Sequence, residues 1–223
     1  MAGGESPAAE ARFVRPRETL VVLRLAILID CISAAALLGQ AAPTHRSAPS
    51  RMFANMEVVP LAIGPNAIDL DGDGTPDMVF QAWRDNGNAH GFNTITFYLS
   101  RSSGAQWLLV PLFDQALRKE RDFYRDFRGA DCVLEAMTIV RSKTAAHTPV
   151  ELVLGSREIG DSFADSMPVT FTVYELVSDT MPNVGEPEVY FRAARSFRGR
   201  RRYCDINDAF EKELGLGHYD GPS

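Results

Sequence analysis

The chain has little of what most hydrolytic centres are built from. Its four histidines, His45, His90, His147 and His218, are scattered through 223 residues. No H-x-H-x-D or H-E-x-x-H arrangement links them, which argues against the familiar zinc-hydrolase patterns. No Ser-x-x-Lys and no Gly-x-Ser-x-Gly occurs, so the common serine-nucleophile arrangements are missing too. Excess basic charge is also lacking. Twenty-three Lys and Arg against 29 Asp and Glu leave a net charge of −6, which speaks against nucleic acid as a partner. There is no internal repeat and no low-complexity tract, so a repeat-built propeller is disfavoured. Cysteine is scarce, with three residues in all. Acids are plentiful, so carboxylate acid/base pairs stay open as a possibility, although most surface acids are simply solvated.

Against that background one stretch stands out. Residues 69 to 77 read Asp-Leu-Asp-Gly-Asp-Gly-Thr-Pro-Asp, the D-x-D-x-D-G-x-x-D spacing of a calcium loop. Ca²⁺ is a hard cation that takes about six to eight oxygens at roughly 2.3–2.6 Å. Asp69, Asp71 and Asp73 lie two apart, as convergence in a coiled loop requires, and Gly74 allows the sharp turn. The spacing predicts a structural Ca²⁺ held by Asp69, Asp71, Asp73, the main-chain carbonyl of Thr75, and Asp77. The alternative is an Asp/Gly-rich turn that binds nothing. An EF-hand is the wrong reading, because its twelfth position would be Phe80 rather than Glu and the loop runs into a strand.

The amino end has the order of a secretory signal. Arg12, Arg15, Arg17 and Arg24 precede an apolar run from Leu25 to Leu38, and Gly39-Gln40-Ala41 offers a small-residue cleavage site. Asp30 interrupts the apolar run. An uncleaved membrane anchor over residues 20–38 is the second reading, and a buried helix of a cytosolic domain the third. The first two place the remainder outside the cytoplasm, periplasmic or secreted, and leave the leader as the only membrane contact. Residues 1–41 carry four arginines and four acids, so the mature chain also carries −6. Residues 42–55 have linker composition, and residues 56–223 form one β-rich domain. With Cys31 in the leader, Cys132 and Cys204 remain as an even pair in an oxidising compartment, expected to be bonded. Two buried free thiols are the alternative.

Most of the domain reads as strands: 57–63, 78–84, 92–100, 106–113, 132–141, 150–156, 168–177 and 188–194. Alternation places Asn93, Ile95, Phe97 and Leu99 on one face and Thr94, Thr96 and Tyr98 on the other. Val169, Phe171 and Val173 likewise oppose Thr170, Thr172 and Tyr174. Residues 114–128 break the pattern and read as a short helix or an ordered excursion. The tail reads as a helix with Asp205 as N-cap, Asp208 three residues on, a stripe of Ile206, Phe210 and Leu214, and Gly215 as stop. The expected fold is mainly β, an antiparallel sandwich or curled sheet with one or two short helices, including a C-terminal one.

Three further segments carry polar groups. The loop Asn86–Phe92, with His90, reads as a hairpin connection, or alternatively as a ligand-contacting loop. The loop Arg157–Asp165 reads as a connection, or as a partner-binding or bracing element. Arg192, Arg195, Arg198, Arg200, Arg201 and Arg202 read as a charged strand edge, or as an anion-binding stretch.

Taken together, several stretches resemble the carbapenem intrinsic-resistance (self-resistance) protein family of the CarG type. They are Asp69–Asp77 running into a strand, Asn88-Ala89-His90-Gly91-Phe92 leading to Thr96-Phe97-Tyr98, Gly160–Asp165 before Val169-Thr170-Phe171, and Arg202-Tyr203-Cys204-Asp205. The likeness spans roughly residues 57–216. It implies an exported, β-rich, non-enzymatic protein that protects its host against a carbapenem, and it carries no catalytic residues over. A protein of that kind would act by binding the drug or shielding a target. The competing readings are a calcium-stabilised module for glycans or other cell-envelope components, and an exported hydrolase using acidic residues.

Overall fold

The computed structural model describes residues 49–88, 90–101, 106–114, 118–128 and 131–217. The leader with its signal or anchor readings, Cys31, His45 and His218 lie outside the described residues. A helical turn, α1 (Pro49–Met52), opens the described chain, and Phe53 behind it is only 2 % exposed. The Asn55 carbonyl accepts from the Lys143 N–H. Packed structure therefore extends upstream of residue 56, into the stretch whose composition reads as linker. One aromatic side chain with a place in the core outweighs the polar residues around it.

Thirteen strands follow among the described residues: β1 (Met56–Val59), β2 (Gly64–Ile68), β3 (Asp77–Arg84), β4 (Phe92–Arg101), β5 (Gln106–Leu109), β6 (Leu112–Asp114), β7 (Lys119–Arg121), β8 (Tyr124–Arg125), β9 (Phe127–Arg128), β10 (Val133–Ser142), β11 (Glu151–Arg157), β12 (Met167–Ser178) and β13 (Val189–Tyr203). They form two sheets. The larger runs β1-β10-β11-β12-β13-β6-β7, with β9 also on β10, and the smaller runs β2-β3-β4-β5, with β8 on β4. All pairings are antiparallel except β13 with β6. The fold is thus the mainly β, curled two-sheet arrangement that the alternation predicts.

Two apolar clusters divide the core by strand face. Ile95, Phe97 and Leu99 of the small sheet meet Ile139, Leu152 and Phe191 of the large one. The opposite face of the large sheet carries Val140, Val153, Val169, Phe171 and Val173, which pack under the C-terminal helix. That helix begins as α2 (Ile206–Ala209) and continues as a π-helical turn through Leu214. Ile206, Phe210 and Leu214 are all buried, and Gly215 ends the helix at φ 69°. Asp205 caps it as expected, with Oδ1 accepting from the Asn207 N–H. Asp208 pairs with Lys212. Cys132 and Cys204 form a disulfide that ties this helix to the start of β10.

Gly155 on β11 permits that docking. A Cβ there would lie 2.6 Å from Ile206 Cγ2 and 3.1 Å from the Phe210 ring. Gly155→Ala is expected to lose about 1–3 kcal/mol, the usual cost of overpacking, read as a lower urea midpoint at unchanged slope.

Two expectations change. The apolar run 106–113 splits into β5 in the small sheet and β6 in the large sheet. Pro111 sits at the crossing, where its missing N–H ends the ladder. Of the two readings for 114–128, the described part is an ordered excursion: β7 pairs with β6, β8 with β4 and β9 with β10. This segment laces the two sheets together, so tertiary pairing overrides local helix preference.

Candidate metal centre

The hairpin β2–β3 pairs Ile68 with Asp77, and residues 69–76 form its loop. Gly72 and Gly74 adopt φ of 79° and 86°, left-handed values that disfavour a side chain. At Gly72 a Cβ would also meet the backbone carbonyl carbons of His147 and Thr148 at 2.7 Å. The loop is therefore pressed against the β10–β11 connection, and the Val150 N–H donates to the Leu70 carbonyl. His147, itself at φ 60°, lays its ring beside Gly74.

The carboxylates are held by backbone N–H groups. Asp69 accepts from Gly72 and Gly74, Asp71 from Asp73, and Asp73 from Thr75. Asp77 is 2 % exposed. Its Oδ2 accepts from Leu70 and its Oδ1 from Ser100 on β4, each at 2.8 Å. Ligand oxygens of Asp69, Asp71 and Asp77 lie within 4.8 Å of one another. The spacing assigns five residues to an ion, and three of them converge as carboxylates. Asp73 is not among the three, and Thr75 lies on the exposed side of the loop.

Burial raises the Asp71 carboxyl above its ordinary value, and the charges of Asp73 and Asp69 add to the effect. Burial likewise raises Asp77, helped by Asp71 and Asp73 and opposed by the N–H groups of Ser100 and Leu70. Converging like charges that resist ionisation, presented as oxygen donors only, fit a hard divalent cation such as Ca²⁺.

Residues 61–212 match the family model described as carbapenem resistance protein CarG-like. The chain belongs to that family. A CarG-like fold also appears in a solved structure described as the crystal structure of CarG. This CarG-like chain matches it with a TM-score of 0.59 at 21 % identity, over 70 % of this chain and 98 % of that one. At that identity the likeness speaks for the fold. No curated protein matches the chain.

The other polar segments of this CarG-like protein are spent mostly on structure. In the His90 loop, Gly87 donates to Asp85, His90 N–H to Asn88, and Asn86 to the His90 carbonyl. These are the local bonds of a hairpin connection. Arg157 is buried, with Nε donating to the Cys204 carbonyl and Nη2 bonded to the Phe163 carbonyl. Its loop braces the helix start. Within the arginine run, which lies on β13, Arg195 bridges Glu151 and Glu175. The N–H groups of Arg200 and Arg201 both donate to the buried Glu213, as does the Tyr203 hydroxyl.

Sequence reasoning missed two groups. The His147–Thr148 wall exists only because β10 and β11 bring their connection under the acidic loop. A buried polar set, Asp126 accepting from Asn93 and Arg128, lines a small inter-sheet cavity with Tyr124. Its one sequence signal was Asn93 on an otherwise apolar face.

Proposed function

We propose that this chain protects against a carbapenem outside the cytoplasm by holding the drug without turning it over, and that a Ca²⁺ on Asp69, Asp71 and Asp77 braces the fold. The family match carries the reading. The Cys132–Cys204 disulfide supports an oxidising compartment. The oxygen-only donor set of the acidic loop supports a structural cation rather than the nitrogen- and sulfur-rich ligation usual for zinc.

The test adds purified protein to a carbapenem and follows the absorbance of the β-lactam ring. Saturable binding with the ring intact is expected. Multiple turnovers, seen as continuing loss of the ring at substoichiometric protein, would overturn the proposal.

Calcium is tested separately by melting. A cation that binds only the folded chain adds about 2.7 kcal/mol at one hundred times its dissociation constant, so EGTA is expected to lower Tm. The gain shrinks on acidification, because ligands must be deprotonated to bind. It fades as pH falls through the Asp71 and Asp77 values, which lie above the ordinary 3.8. In EGTA the sign reverses for these two groups. Their folded-state values exceed the unfolded ones, so the folded state binds more protons and their contribution to stability falls as pH rises through that window. Identical melts with Ca²⁺ and EGTA at neutral pH would remove the ion from the proposal.

A further inference from the structure

The excursion Lys119–Arg128 leaves an open groove of about 610 Å³ where it crosses between the sheets. That volume lies within the range typical of sites for drug-sized molecules. Its lining combines two exposed rings, Phe123 at 51 % and Phe127 at 40 %, with Arg121, Arg125 and Glu135. Glu120 and Asp122, both exposed, complete it.

The fold explains why these groups meet. Phe127 pairs with Glu135 across β9 and β10, so both project from one face. That row continues through Ser156 and Thr170 to Arg198. It is the same face that packs against the small sheet lower down, at Ile139 and Leu152. At the level of Glu135 the face therefore turns polar. A buried apolar surface gives way to the Glu135 carboxyl, which lines the groove with the rings of Phe123 and Phe127.

The charges are placed unevenly. Arg121 approaches Glu135 only at 4.0 Å, and its charge also acts on the Tyr174 hydroxyl. Burial raises the Glu135 carboxyl, against the pull of Arg121 and Arg125. The long 4.0 Å approach leaves Arg121 with donors beyond those facing Glu135. A guanidinium has five N–H donors in a planar fork suited to a carboxylate. Arg125 lies over the Phe92 ring at 4.9 Å from the centroid, which orients its cation without neutralising it.

We infer that this groove is a binding site for a small organic anion with an apolar ring body, its carboxylate met by Arg121 and Arg125 and its rings by Phe123 and Phe127. A carbapenem, a compact bicycle bearing one ring carboxylate, has that chemistry. The inference rests on the drug-holding reading above and gives it a location.

The test is calorimetric titration of the full chain with an intact carbapenem, for the wild type, Arg121→Gln and Phe123→Ala. Thermal melts accompany each variant. Phe123 is an exposed side chain, so its truncation leaves folding intact. Each variant is expected to weaken binding by about tenfold or more at an unchanged melt, the scale set by losing a charge-assisted bond or a stacking ring. Wild-type affinity is expected to fall as salt rises. If the wild type binds and a correctly folded Phe123→Ala and Arg121→Gln bind equally well, the location is wrong and drug holding stands. If the wild type binds nothing, both fall together.

Discussion

Asp77→Ala is expected to destabilise the protein by about 2–4 kcal/mol even without calcium, since one buried and one partly buried N–H group lose their acceptor, at about 1–3 kcal/mol for a buried one and less for the other. Those donors are Leu70 and Ser100, and through them Asp77 joins the acidic loop to β4. One partial offset exists. The raised carboxyl value means that the Asp77 charge is itself disfavoured in the fold, so removing it returns some stability. The lost hydrogen bonds outweigh that return, because the Leu70 N–H stays buried and the Ser100 N–H partly buried without the carboxylate. Asp77→Asn keeps one acceptor and turns an N–H₂ towards the other donor, so an intermediate loss is expected. Asp73→Ala is the contrast. The Asp73 carboxylate accepts from the Thr75 N–H at the exposed end of the loop, and its loss is expected to stay below about 1 kcal/mol. Urea unfolding in EGTA measures all three. Repeating it in Ca²⁺ adds the linkage gain for the wild type and little for Asp77→Ala. An Asp77→Ala protein as stable as the wild type would show that the carboxylate does not hold the hairpin.

The second large effect is expected at the disulfide. Cys132 and Cys204 lie 72 residues apart with Cα atoms at 5.7 Å. Closing a loop of that length is worth roughly 4 kcal/mol in the chain-entropy picture. For a domain of this size, that corresponds to a fall in Tm of about 8–16 °C on reduction or in Cys204→Ser. The damage should begin at the C-terminal helix. At its start, Asp205 Oδ2 accepts from the Val133 N–H and Arg157 donates to the Cys204 carbonyl, while further along Glu213 accepts from Arg200, Arg201 and Tyr203 of β13. Behind them lie the Ile206 and Phe210 contacts with Gly155. Hydrogen exchange should therefore show earliest loss of protection in Ile206–Leu214. Equal melting of oxidised and reduced protein would refute the prediction.

The two predictions differ in what could be read beforehand. The aspartates announce themselves by spacing, and the cysteines by being an even pair. That Asp77 spends both oxygens on Leu70 and Ser100 was not legible, because β4 reaches it only through sheet pairing. β2 escaped notice for a related reason. Gly64-Pro65-Asn66-Ala67-Ile68 has weak strand propensity, and it becomes a strand because β3 supplies a ladder for it. β13 runs nine residues beyond the expected Ala194 end. Its arginines hide the alternation, while β12 holds the pairing as far as Tyr203 through two irregularities. In the tail the stripe, the cap and the glycine stop all read correctly. A helix carries its period and its boundaries in neighbouring residues, whereas strand partners lie far away in the chain.

The amino-acid sequence by itself determined the class of the fold, the inward faces of β4 and β12, the acidic hairpin loop and the C-terminal helix, because alternation, turn glycines and caps act between residues close in the chain. Tertiary structure alone decided which carboxylates converge, that His147 and Thr148 press on the loop, that 119–128 laces the sheets, and that Arg121, Phe123 and Glu135 share one groove. Those outcomes depend on sheet order and register, which are settled by how distant strands bury one another's faces.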